Sequence, residues 1–153
     1  MKISSFTQQS PLFLIYSCNI SIQDLYSEGL KKHQVNFIQA LIAITLYFEG
    51  KNKINPKSFI KDLGVSKSSI SQAISGLEGL GWLQRKVDDN DARSIVLTLT
   101  PTGKSSASQL ISVFHSIEKK FEKRLGKTKM KELELSLLAM KNSLNSPSDD
   151  GNQ

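Results

Sequence analysis

The sequence predicts a mainly α-helical chain that carries one small β-hairpin. Three observations lead there. Apolar residues recur at helical spacing over most of the chain. Gly, Pro and Ser interrupt that pattern where helices should start and stop. One β-branched stretch past the middle falls into two short runs around a polar turn. With 153 residues, 39% of them hydrophobic, there is material for one domain core plus an appended assembly element. Global disorder is excluded.

Phe13, Tyr16, Ile20, Leu25, Tyr26 and Leu30 predict an N-terminal helix with room for a bend. Phe37, Leu41, Ile44 and Phe48 mark a second, nearly all-apolar helix that ends before Gly50. Pro56 suits the first turn of a short third helix, whose Phe59, Ile60 and Leu63 share a face. Gly64 ends it with a left-handed turn, and Val65 is expected as a buried joint. Ser66 caps a fourth helix that turns Ile70, Ile74, Leu77 and Leu80 inward before Gly81. Helix, tight turn, helix is a helix-turn-helix.

Residues 82–87 and 94–99 are β-branched and aromatic enough for strands, with residues 88–93 as the polar turn between them. A hairpin directly after a helix-turn-helix makes a winged helix. Thr100 and Pro101 then supply a cap and a preformed first turn for the next helix. Beyond it run two apolar stripes, Leu110, Phe114, Ile117, Phe121 and Met130, Leu133, Leu137, Met140, Leu144, separated by Gly126. One winged-helix core is too small to cover both, so the terminal helices of two chains are expected to interdigitate as a homodimer. The implied organisation is a flexible N-terminus at 1–10 and an N-terminal dimerisation helix at 11–33. A winged helix follows at 34–104, C-terminal dimerisation helices at 105–144, and a disordered tail at 145–153.

Twenty Lys and Arg against fourteen Asp and Glu give a net charge of +6, which favours a polyanionic partner. Each third of the chain is net +2, so any anion-binding face must be made by folding. The single cysteine, Cys18, cannot form an internal disulfide, and with only His33 and His115 beside it a Cys/His zinc site fails on ligand count. A reducing, cytoplasmic setting is the simplest match. No stretch approaches the roughly 20 apolar residues of a spanning helix. Lys2, the run at 12–16 and Cys18 imitate a lipoprotein signal, but polar residues at 4–10 separate the charge from a very short apolar run. No nucleophile–base pair, phosphate loop or paired acid/base site emerges, so neither catalysis nor a cofactor is expected.

Asp62-Leu-Gly-Val-Ser66, Ser69-Ile-Ser-Gln72, Leu77-Glu78, Gly81-Trp-Leu-Gln-Arg85, Asp91-Ala-Arg93 and Leu99-Thr100 with Gly103 occur in one order and spacing. Across residues 34–105 this string resembles the MarR family of winged helix-turn-helix transcriptional regulators. The resemblance implies a homodimer in which helix, helix, brief strand at residues 53–55, helix, helix, strand, wing, strand, helix and helix follow in turn. It implies that the fourth helix enters the major groove of double-stranded DNA and the wing reaches the flanking minor groove. Arg93 would make the minor-groove contact and Asp91 would orient it. A small-molecule effector pocket is implied between the DNA-binding lobes and the dimer helices, near Tyr16, His33 and Phe37, and repression is the usual outcome. The N-terminus also resembles the organic-hydroperoxide-sensing branch: Tyr16 and Tyr26 fit its two tyrosines, but Leu12 stands where that branch has its cysteine.

On their own chemistry, Ser66, Lys67, Ser68, Ser69, Ser71 and Gln72 offer hydroxyls, one cation and one amide to phosphates and base edges. The plainer reading is that the serines cap the helix and stay solvated. Relatives commonly place an arginine near Gln72, whereas Lys67 is the only cation here, so shape and wing contacts should carry more of the specificity. Arg93 suits a narrow A·T-rich minor groove, against the plain reading of a hairpin arginine paired with Asp91. The acidic run at 88–91 invites calcium, but Ala92 and Arg93 break the ligand register. The lysines of 119–131 are interleaved with Glu118, Glu122 and Glu132, which fits a solvated face rather than a membrane contact. Cys18 is expected to be a bland helical cysteine rather than a peroxide sensor. The rival functions are a winged-helix protein-interaction module and a non-specific DNA architectural protein.

Overall fold

A computed structural model describes residues 7–50, 54–88 and 91–145. The expectations placed on residues 1–6, on Lys53, on the hairpin tip Asp89-Asn90 and on the tail beyond 145 lie outside the described residues. Inter-residue contacts divide the chain into two compact units, residues 1–114 and 115–153.

Within the first unit, residues 7–9 are helical and Ser10 then caps α1 (Pro11–Leu30), its hydroxyl accepting from the Phe13 N–H at 3.4 Å. The helix is uninterrupted over 20 residues, followed by a 3-10 turn at Lys31–His33. A capping box opens α2 (Phe37–Glu49): the Asn36 side chain accepts from the Gln39 N–H at 2.9 Å, and the Gln39 side chain accepts from the Asn36 N–H at 2.8 Å. Asn55 caps α3 (Pro56–Leu63), with Pro56 in its first turn. Gly64 ends α3 at φ +63°, a conformation that costs a residue with a Cβ and so permits the sharp turn into the next helix. Ser66 caps α4 (Lys67–Gly79).

The hairpin consists of β1 (Leu83–Asp88) and β2 (Asp91–Leu99), antiparallel, with Leu83 opposite Leu99 and Val87 opposite Ile95. A single bridge joins Ile54 to Leu97 where a first strand was expected. Pro101 begins α5 (Pro101–Leu125), which passes from the first unit into the second. After Gly126 comes α6 (Lys127–Asn145). In the second unit the α6 leucines 133, 135, 137, 138 and 144 are exposed.

The core of the first unit collects Leu30, Ala40, Ile42, Ala43, Leu46, Phe59, Ile70, Ala73, Ile74, Leu77, Leu83, Val96, Leu97, Ala107 and Leu110. Burying each large aliphatic or aromatic side chain among these contributes about 1.5–3 kcal/mol against the ordering entropy. Of the faces that periodicity assigns to α3 and α4, Phe59, Ile70, Ile74 and Leu77 are buried, while Ile60, Leu63 and Leu80 are half-buried.

Three local expectations are corrected. The inward face of α2 is Ala40, Ile42, Ala43 and Leu46 rather than the stripe Phe37, Leu41, Ile44, Phe48, and Phe48 is 70% exposed. A helix apolar on every side carries no phase information, so packing partners choose the face. Val65 is half-buried instead of sealed. The hairpin is longer than its composition suggests: Asp88, Asp91, Ala92 and Arg93 belong to strands, and Trp82 precedes β1.

Candidate nucleic-acid interface

The interface begins at the N-terminus of α4. The Ser66 hydroxyl accepts from the Ser69 N–H at 3.1 Å and lies 2.8 Å from the Ser68 hydroxyl and 2.9 Å from the Ser69 hydroxyl. Ser66 and Ser69 are therefore committed to the cap, as the plainer reading of these serines holds. Ser68 shares a hydroxyl bond but stays exposed, and Lys67, Ser71 and Gln72 are exposed without a side-chain partner among the described residues. No acidic residue stands in the first turn of α4, so the positive end of the helix dipole and its free N–H groups face an incoming anion unopposed.

The wing supplies the second part. Asp91 and Arg93 are both exposed, and an Asp91 carboxylate oxygen accepts from the backbone N–H of Arg93 at 3.0 Å. Asp91 thus fixes the main chain of Arg93, while no carboxylate among the described residues pairs with its guanidinium. Next along the strand, Ser94 accepts from the Asn55 side-chain amide at 3.0 Å, and the Leu97 N–H donates to the Ile54 carbonyl at 3.0 Å. Both bonds fasten β2 to the start of α3.

Two further groups of contacts bear on the site, and of these only the Thr100 cap is expected from the sequence. Arg85 on β1 donates from Nε to Glu78 at 2.9 Å and from Nη2 to the Ser75 hydroxyl at 3.2 Å, joining the hairpin to α4. The Thr100 hydroxyl donates to the Gly81 carbonyl at 2.7 Å and accepts from the Gly103 N–H at 3.0 Å. The Thr100 N–H also donates to the Trp82 carbonyl at 3.0 Å. These bonds seat the start of α5 on the turn that closes α4. The strings Leu77-Glu78, Gly81–Arg85 and Thr100 with Gly103 were the available signal, but spacing does not reveal which side chains meet.

Of the suggested effector residues, Tyr16 and Phe37 have different aromatic neighbours. Tyr16 is 61% exposed on α1 and lies 6.3 Å, ring to ring, from Phe13. Phe37 instead joins an aromatic cluster, 5.1 Å from Tyr26 and 5.7 Å from Phe114, with Tyr26 and Phe114 4.4 Å apart. Phe37 also lines a cleft of about 390 Å³ with Asn19, Gln23, Asn36, Leu41 and Val65, in which neither Tyr16 nor His33 takes part. Cys18 is exposed on α1.

His33 is half-buried, but its Nε2 is sealed from solvent without a hydrogen-bond partner among the described residues. Burial, and then the neighbouring Lys32 charge, hold its pKa below the usual histidine value. The unfolded chain therefore binds this proton more readily than the folded one. Stability from this group is present above about pH 6.5 and is lost as pH falls through that value toward the depressed folded pKa. Urea unfolding at pH 7.5 and 5.5 should show a larger acid-side loss in the wild type than in His33→Gln. Equal losses in the two proteins would refute the assignment.

A helix-turn-helix followed directly by a hairpin that carries an exposed arginine defines a winged-helix protein. Residues 24–110 match the family described as transcriptional regulator SarA/Rot, and the chain belongs to that family, which is one of regulators and not of enzymes. It is 26% identical over 99 residues to the HTH-type transcriptional regulator SarZ of Staphylococcus haemolyticus, a match covering 65% of this chain and 66% of that protein. The chain thus spans just under two thirds of the length of this relative. It is also 26% identical over 122 residues to the transcriptional repressor MprA of Escherichia coli, covering 80% of this chain and 69% of MprA. Among solved structures, the S. aureus MepR–DNA complex superposes with a TM-score of 0.81 at 19% identity, covering 88% of this chain and 98% of MepR. At that identity the likeness speaks for the fold alone. Among the described residues no helix is long and apolar enough to cross a membrane.

Proposed function

We propose that this chain is a cytoplasmic, homodimeric, sequence-specific DNA-binding transcriptional regulator that represses by covering a promoter. The observation that carries the reading is the state of Arg93. Its backbone is anchored by Asp91 and its guanidinium is exposed on the wing with no partner among the described residues, while the first turn of α4 has no acidic residue and Lys67, Ser71 and Gln72 have no side-chain partner among the described residues. A guanidinium so held suits the negative potential of a narrow minor groove, and Gln72 suits a bidentate contact to adenine. MprA is described as a repressor and MepR crystallises with DNA, which supports both halves of the proposal. The exposed leucines of α6 support a dimer, since an apolar stripe of that length calls for a cover.

An effector is the finer part of the reading. The cleft near Phe37 is lined by the apolar Phe37, Ile38, Leu41, Leu63 and Val65 together with Asn19, Gln23 and Asn36. Such a lining suits a small planar molecule with neutral hydrogen-bonding groups. A ligand there that prefers one position of α3 and α4 would change DNA affinity by that preference.

Selection of duplexes from a random pool with the purified chain, in excess unrelated DNA, tests the proposal. A pseudopalindrome with half-sites about one helical turn apart is expected. Uniform recovery of all sequences would overturn it in favour of an architectural protein. No retention of DNA would favour a protein-interaction module.

A further inference from the structure

We infer that Arg85, Glu78 and Ser75 form a positioning clamp that fixes the wing relative to the recognition helix, and so sets sequence discrimination without touching DNA. The inference rests on the DNA-binding reading above and goes beyond it. Ser71, Ser75 and Glu78 follow one another at spacings of four and three along one stripe of α4, the stripe that begins among the exposed reading positions. Arg85 meets that stripe at two points, Glu78 at 2.9 Å and Ser75 at 3.2 Å.

The fork geometry matters more than the charge. A guanidinium is planar, so two bonds to two residues on one helix define an orientation, where a single ammonium contact would define only a distance. Both partners are about one third exposed, and a pair so placed adds little to global stability. Its effect falls on geometry. Arg85 sits opposite Leu97 on the hairpin, and Leu97 is the residue bridged to Ile54. The base of the wing is thereby held on one side by α4 and on the other by the chain leading into α3. Arg93 lies four residues along the same strand from Leu97, so a small rotation at the base displaces the arginine from its groove.

The neighbouring electrostatics make the test sharp. Glu78 is the only acidic residue of α4, so removing it should tighten binding to a polyanion on charge grounds alone. The clamp demands the opposite for a specific site. In Glu78→Ala the affinity for the selected duplex is expected to fall about tenfold, while affinity for unrelated duplex is unchanged or higher. Arg85→Lys retains the charge but not the fork, and is expected to show the same loss. The double variant should lose no more than either single one, because both break one device. Thermal midpoints should stay close to wild type.

A second readout needs no DNA. Amide relaxation of the free protein should show greater fast motion at Arg93 in Glu78→Ala than in wild type. Undiminished specific affinity in Glu78→Ala, additive losses in the double variant, or unchanged Arg93 dynamics would each overturn the clamp. If the wild type selects no duplex, the DNA-binding reading fails by itself, and the relaxation measurement still decides whether the clamp holds the wing.

Discussion

Gly103→Ala is expected to lower stability by about 3 kcal/mol, at the upper end of overpacking changes, and to lower the thermal midpoint by roughly 10 °C. A methyl group at this position would overlap the Trp82 carbonyl oxygen, lie 2.8 Å from the Trp82 carbonyl carbon and 3.0 Å from its Cα. All three are backbone atoms with no freedom to move aside. The Trp82 N–H donates to the Leu77 carbonyl at 2.9 Å, and its carbonyl accepts from Thr100 at 3.0 Å. Relief would require α5 to lift from the turn, at the cost of the Thr100 bonds. Gly79→Ala is the matched control. Its methyl group meets nothing within 4 Å, and alanine favours the helix, so stability should be unchanged or slightly higher. Equal urea midpoints for Gly103→Ala and wild type would show that the contact yields.

Arg93→Ala is expected to weaken binding to the selected duplex by roughly 10- to 100-fold, about 1–3 kcal/mol, with little change in thermal stability. The side chain is exposed and has no partner among the described residues, so its removal orphans none of them. Arg93→Lys should fall between, since an ammonium supplies charge without the planar fork. Titrations of the three proteins against the duplex at fixed salt would settle the point. Affinity unchanged in Arg93→Ala would remove the wing from the proposed interface.

Much of this architecture was legible in the residues. Pro56, Gly64, Ser66, Gly81 and Pro101 fix helix ends by local chemistry, and local chemistry is what a sequence displays. The face of α2 was not legible, because its packing is decided by distant helices. The wing boundaries were missed for a related reason: Asp91 and Arg93 look like turn residues, yet β2 runs through both, with Asp91 paired to Asp88 beyond a register irregularity. At the proposed interface, motif and chemistry single out Arg93 and Gln72 in the sequence. The Arg85 contacts could not, since they span seven and ten residues around the turn at Gly81. The same holds for the ring contact of Tyr26 with Phe37, which spans eleven residues.

The makeup of α4 carries a consequence for the conditions under which such a regulator works. Each phosphate neutralised by a lysine or arginine releases counterions, and each contributes about −0.9 to the slope of log affinity against log salt. A recognition helix that meets the groove with Ser68, Ser71, Gln72 and its N-terminal amides, and with Lys67 as its single cation, displaces few of them. On the proposed reading, α4 itself would add little to the salt dependence of DNA binding, and that dependence would fall to cations elsewhere, Arg93 among them.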